Sequence, residues 1–477
     1  MRADSPALRA ISVAWMVIGL CSFLLACAAG AEAQYSSNGH WIVLDAPSGT
    51  SSPYGLVLDH ESQLWVNSSL GCIKMLNVNE WRWELIDDWS GGGNPALTPD
   101  GSIWWPLILY SRGYVTWHYQ GLTMTEEMDG GAPCQAQLSA SEDGSILCGG
   151  VAWWSEWGLF ERKEGVWAKR GVCGELPCCA SMALAGWHGA VALFPTLWDD
   201  TAPQPPLIED DDGSCIEVPE EFNHLRPRRF LPDRQILFCS QPPVTLYWFN
   251  VVDGRLSLAR TLDVSDIQAA SGGDPLSLVG NRWEIDADGA IWLASRLGTG
   301  SAALCRITDS VDLIPFPDGL RWYGAVCIDK DGRKVMPLWD NEEILRIGLY
   351  IDDGPASQRL TLSAYLDGGE ARELVVEAEV VNCAIAAAWL NAYFAAEYND
   401  QLYYAPHWSP DPSSLVPHWV KAGSGTRQTG EVLRIPVEEL PPGRYKFYGG
   451  ITFRDRPIDE LIGSPAEKIA IAEIEIP

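Results

Sequence analysis

Positive charge is scarce in this chain of 477 residues: 33 lysines and arginines stand against 63 aspartates and glutamates, for a formal net charge of -30. Such a balance cannot neutralise a phosphate backbone, which excludes nucleic acid as a partner. It also disfavours anionic membrane surfaces and keeps the chain soluble. The longest basic stretch is "RPRR" at 226–229. Histidine is scarce too, and the seven present (His40, His60, His118, His188, His224, His407, His418) show no spacing that converges on a metal. None of the 13 cysteines stands in a C-x-x-C spacing, so a structural zinc site is not expected. The serine-elbow pattern G-x-S-x-G and the phosphate-cradling G-x-x-x-x-G-K are both missing. Beyond the N-terminus no apolar run suits a bilayer helix; the nearest, 380–396, is short and interrupted by Asn382 and Asn391.

What is present begins with an export signal. Arg2 and Arg9 precede an apolar run over 11–29, and "AEA" at 31–33 offers a small-x-small cleavage site before Gln34. A second possible cut, before Cys27, would leave a lipid-modified N-terminus. Either way the expectation is a secreted or periplasmic protein in an oxidising compartment. Eleven cysteines lie beyond Cys27, an odd number, and "GVCGELPCCAS" suggests a local bridge from Cys173 to Cys178 or Cys179.

The stretch "EIDADGAIWLASR" at 284–296 has the look of a calcium loop, yet its glycine comes too early for one. The same pattern recurs: "VLDHESQLWVNSS", "LTPDGSIWWPL", "SASEDGSILCGG", "LAGWHGAVALFP", "FLPDRQILFCSQ" and "CIDKDGRKVMPL". The residue after each turn falls at Leu64, Ile103, Ile146, Val191, Ile236, Ile291 and Lys334, at intervals of 39, 43, 45, 45, 55 and 43 residues, Lys334 alone departing from apolar type. A period of about 44 residues with strand–turn–strand content predicts an all-β, seven-bladed β-propeller. Asp-Gly turns supply the positive φ that tight hairpins need. The seventh copy lacks an outer strand, while "HWIVLDAPSG" at 40–49 lacks an inner one. Residues 41–45 are therefore expected to pair with 344–350 and close the ring, which hides an exposed edge.

The "DG-x-IW" cores at 100–104 and 288–292, with a looser "ESQLW" at 61–65, resemble the exported repeats of the two-component-regulator propeller and streptogramin-lyase-like families over about residues 34–352. The lyase resemblance would imply histidine acid–base chemistry beside a divalent metal. Copies four, five and seven depart from the motif, and no histidine pair matches that chemistry.

From 352 onward, short alternating strands such as "ARELVVEAEVVN" and "EKIAIAEIEI", with turns at "YND" and "PPG", predict an immunoglobulin-like β-sandwich over 352–477. The expected organisation is thus a signal at 1–33, a propeller at 34–351 and a sandwich after it.

Two candidate sites stand out. Tryptophans where second and third strands connect (Trp105, Trp153, Trp154, Trp157, Trp198, Trp339), with Trp322 and Tyr323, are expected to ring one face of the disc and bind a carbohydrate, peptide or protein; packing between blades is the competing account. The acidic run "IEDDDGSCIEVPEE" at 208–221 offers Asp210, Asp211, Asp212 and Glu217 as oxygen ligands for calcium, or else is a solvated loop. No other cofactor is expected. The leading reading is a non-enzymatic binding or assembly protein. The alternative is a metal-assisted lyase or hydrolase using acidic residues at the channel.

Overall fold

The turn chemistry of the repeat produces the same first hairpin again and again. Asp286 Oδ1 accepts the backbone N–H groups of Asp288 (3.1 Å) and Ala290 (3.0 Å), and its Oδ2 accepts the indole N–H of Trp292 at 2.9 Å. Asp59 repeats the arrangement, holding the Gln63 N–H at 2.8 Å and the Trp65 indole at 2.7 Å. Gly101, Gly144, Gly289 and Gly332 carry φ of 85°, 89°, 84° and 80°, the left-handed conformation that the turn requires and that glycine alone adopts without strain.

The computed structural model describes most of residues 41–477; the longer stretches outside the described residues are 1–40, 47–54, 76–82, 88–94, 128–137, 175–181, 195–204, 264–282, 297–301 and 459–468. Seven antiparallel sheets follow one another along the chain. The first runs Gly55–Leu58, Leu64–Ser68, Gly71–Met75, Trp83–Asp87, and the second, third, fifth and sixth repeat that four-strand order. The fourth has three strands, Met182–Ala185, Val191–Phe194 and Leu207–Glu209, its outer edge reduced to a bridge between Glu209 and Cys215. In the seventh, Lys334–Trp339 and Leu345–Tyr350 are joined by Trp41–Asp45, with Trp41 opposite Tyr350 and Asp45 opposite Arg346.

Each sheet packs on the next. Leu147 and Leu193 share a core between the third and fourth, Ile236 and Ala192 between fourth and fifth, and Leu237 and Ile291 between fifth and sixth. Trp292 meets Met336 and Leu338 of the seventh, whose Val335 and Ile347 pack against Leu56, Leu64 and Val66 of the first. Seven successive sheets with the first against the seventh make a seven-bladed β-propeller.

A two-sheet β-sandwich follows it. Gln358–Asp367, Glu373–Asn382 and Thr426–Pro436 form one sheet; Gln401–Tyr404, Ala388–Tyr398, Gly443–Phe453 and Ile469–Ile476 form the other, with His418–Ala422 added on Ala388–Tyr398. Alternate residues of Ala388–Tyr398 are buried, so Ala388, Leu390, Ala392 and Phe394 face Leu360, Ala378 and Val380 across the core. The "YND" hairpin appears as expected, with Asn399 and Asp400 at φ 50° and 61°. No helix among the described residues is long and apolar enough to cross a membrane.

The sandwich sits on the first-hairpin turns of the propeller. Arg359 pairs with Asp288, Arg427 with Asp233 (3.1 Å), and the Trp389 indole donates to the Glu142 carbonyl (3.1 Å). The backbone N–H of Ala287 donates to Ala356 O at 2.9 Å, and the His60 ring stacks on Phe453 with centroids 4.1 Å apart. The turns therefore both close the hairpins and seat a second domain.

Candidate functional site

The inner strands are built of small and apolar residues, "GLVL", "AL", "LSA", "MALA", "EI" and "CI", with "RPRRFL" as the exception. Glu284 is the single carboxylate among these described inner-strand residues. It is buried and meets the buried Arg229 at 3.3 Å, while Arg229 Nη2 also donates to the Cys383 carbonyl of the sandwich at 2.8 Å. Removing either charge would strand the other away from water, and the Arg229–Cys383 hydrogen bond ties this buried pair to the sandwich. Where the sandwich meets the propeller, a small cavity of about 70 Å³ remains, bordered by His60, Leu97, Glu284, Lys330 and Phe453.

The predicted tryptophan ring divides into three groups. Trp105 is 1% exposed on Ile103–Leu109, and Trp339 is half-buried against the core shared by the first and seventh blades. The buried Trp105 is a packing residue, a correction to its expected place on the binding face, whereas Trp339 stays partly exposed. Adjacent strand residues point to opposite sides, but in a propeller both sides of a blade press on neighbours, so mid-strand Trp105 is covered either way. Trp157 pairs by backbone with Val151 and Trp322 with Leu338, placing both at the strand ends remote from the sandwich. Trp153, Trp154, Trp198 and Tyr323 lie outside the described residues.

The acidic run is a hairpin turn of the repeat type. Gly213 N–H donates to the Asp210 carbonyl (3.0 Å), Ser214 N–H donates to Asp212 Oδ1 (2.8 Å), and Arg234 pairs with Asp210. Carboxylate oxygens of Asp210, Asp211 and Asp212 lie within 4.8 Å of one another. Burial pushes the Asp210 carboxyl above its ordinary value despite the Arg234 guanidinium, whereas the Ser214 hydrogen bonds lower that of Asp212. Glu217 is not among these three; its carboxylate meets Arg255 at 2.6 Å.

The cysteine pairing also differs from expectation. Cys173 is bonded to Cys215, 42 residues on, and Cys178 and Cys179 lie outside the described residues. The bridge ties the outer edges of blades three and four, where Arg170 joins Glu161 and Glu209, each at 3.0 Å. Packing brought together two cysteines that belong to successive repeats.

A further cluster on the sandwich was not foreseen. Trp419 on His418–Ala422 is 51% exposed, with Trp389 6.0 Å away at 81°. The usable signal was the W-x-K alternation of "HWVKA", which puts Trp419 and Lys421 on one face.

No family model matches the chain, nor does any curated protein. Among solved structures it is similar to one named as the extracellular domain of a hybrid two-component system from B. thetaiotaomicron, at 12% identity and TM-score 0.44, covering 94% of this chain and 59% of that one. YCF48 from Cyanidioschyzon merolae follows at 10% identity and TM-score 0.40, over 65% of this chain and 98% of that one. PorZ, a surface component of the type-IX secretion system of Porphyromonas gingivalis, stands at 11% identity and TM-score 0.36, over 91% and 68% respectively. The chain spans less than two thirds of the length of the first of these.

Proposed function

We propose that the chain is a secreted or periplasmic, non-enzymatic binding or assembly protein, exported by the 1–33 leader, with a propeller over 34–351 and an immunoglobulin-like sandwich over 352–477. Its ligand face is the propeller face remote from the sandwich. One observation carries this reading: the sandwich is seated on the first-hairpin turns, so the opposite end of each blade is the one left for a partner. Trp157 and Trp322 stand at that end by register. Rigid blades carrying variable connections are a common basis for recognition, and tryptophan suits a carbohydrate, peptide or protein surface. The test is a glycan and peptide binding screen on the mature chain, repeated with Trp157→Ala and Trp322→Ala. Loss of a ligand in these variants with the fold retained supports the reading; a ligand bound equally by both would overturn it.

A further inference from the structure

The outer face of the larger sandwich sheet carries a cluster of two indoles and two exposed cations. Lys421 pairs in register with Trp389, and Asn391 with Trp419, so the two indoles and the lysine share one patch. The Lys421 ammonium lies 5.2 Å from the Trp419 ring and 5.8 Å from that of Trp389. The Arg454 guanidinium lies 4.6 Å over Trp419 and 5.4 Å from Trp389, with its carbonyl held by the Asn391 amide at 2.8 Å. Both cations are exposed, and among the described residues neither meets a carboxylate, although acids outnumber bases 63 to 33 in the chain. With all these contacts in place, half of Trp419 still faces water.

We infer that this patch is a second binding site, independent of the propeller face, for a polysaccharide carrying carboxylates, such as a polyuronate. An indole ring matches the C–H face of a pyranose, and cations about 5 Å from that ring match a carboxylate at the rim of the sugar. Charge complementarity sets the sign of the ligand, since an anion meets attraction here and repulsion from most of the remaining surface. An acidic peptide adding as a strand along His418–Ala422 fits less well, because the Gln428 side chain already donates to the Lys421 carbonyl at 2.6 Å.

The test uses the full mature chain with polygalacturonate, its fully methyl-esterified neutral form, and polyglutamate, followed by tryptophan fluorescence and affinity electrophoresis. Binding to polygalacturonate that weakens with salt is expected, with about tenfold or greater loss for Trp419→Ala and for the surface variant Lys421→Glu. The esterified polymer should bind no better than those variants do. Trp157→Ala should leave this binding unchanged, which separates the site from the propeller face. The inference is overturned if polygalacturonate does not bind at low salt, if Lys421→Glu binds it as well as the parent, or if polyglutamate competes equally.

Discussion

Trp41 lies opposite Tyr350 in the seventh sheet, their rings 5.1 Å apart, although 309 positions separate them in the chain. The Trp41 indole is 1% exposed, packs edge-on against Phe316 at 5.4 Å, and donates to the Pro315 carbonyl at 3.1 Å. One residue from the start of the described chain thus touches the sixth and seventh blades together. Trp41→Ala should cost about 3–5 kcal/mol of stability in urea denaturation. If this strand is the clasp of the ring, a chain beginning after it exposes the edge of Leu345–Tyr350 and aggregates on light scattering.

Lys334 occupies the position that is apolar in the other six repeats, and its side chain is fully buried. The ammonium pairs with Asp352 and lies 4.1 Å over the Trp292 ring. Burial pushes its pKa below the usual lysine value against the pull of Asp352 and Asp286. Asp352→Ala should therefore destabilise by about 3–5 kcal/mol, since it removes the carboxylate paired with a buried charge, whereas the double variant Lys334→Met with Asp352→Ala recovers most of that loss. Equal stabilities for the single and double variants would refute the account.

Gly425, at φ +69°, comes so close to the fifth blade that an added Cβ would stand 2.5 Å from the Phe230 carbonyl oxygen. Gly425→Ala must move one backbone or the other. The expected outcome is loosened docking: limited proteolysis separates sandwich from propeller, while the far-ultraviolet circular dichroism of both is kept.

Non-reducing peptide mapping should link Cys173 to Cys215. Cys215→Ala should cost roughly 4 kcal/mol by the chain-entropy account of a loop of this size. The buried thiols Cys305 and Cys383, both pushed up to about 12 by burial, should resist alkylation in the folded protein at neutral pH.

Burial would raise the Asp143 carboxyl, but hydrogen bonds from Ser141 and Ser145, with Lys163 nearby, hold it well below its ordinary 3.8. A depressed carboxylate contributes stability that is present above 3.8 and lost as pH falls through the folded value. Asp143→Asn should accordingly be less stable than the parent at pH 7, and the gap should narrow steadily in acid melts below 3.8.

The blades were legible because the information that makes them is local. Asp286, Gly289 and Trp292 lie within seven positions, and hydrogen bonds among them complete a hairpin without help from elsewhere. Strand alternation made the sandwich equally readable: "QRLTLSAYLD" is one strand, Gln358–Asp367. The candidate site was less so. Trp105 and Trp157 look alike in sequence, and only blade-on-blade packing shows that the first is core, whereas register places the second at a blade end.

Sequence alone thus determined the blade count, the hairpin turns and the order of propeller and sandwich, since each depends on residues close together along the chain. Tertiary structure decided that the same turns seat the sandwich, that Cys173 finds Cys215, and that Trp389, Trp419, Lys421 and Arg454 form one patch. Those outcomes depend on packing between segments tens to hundreds of positions apart, and no periodicity in a single chain encodes which distant surfaces will meet.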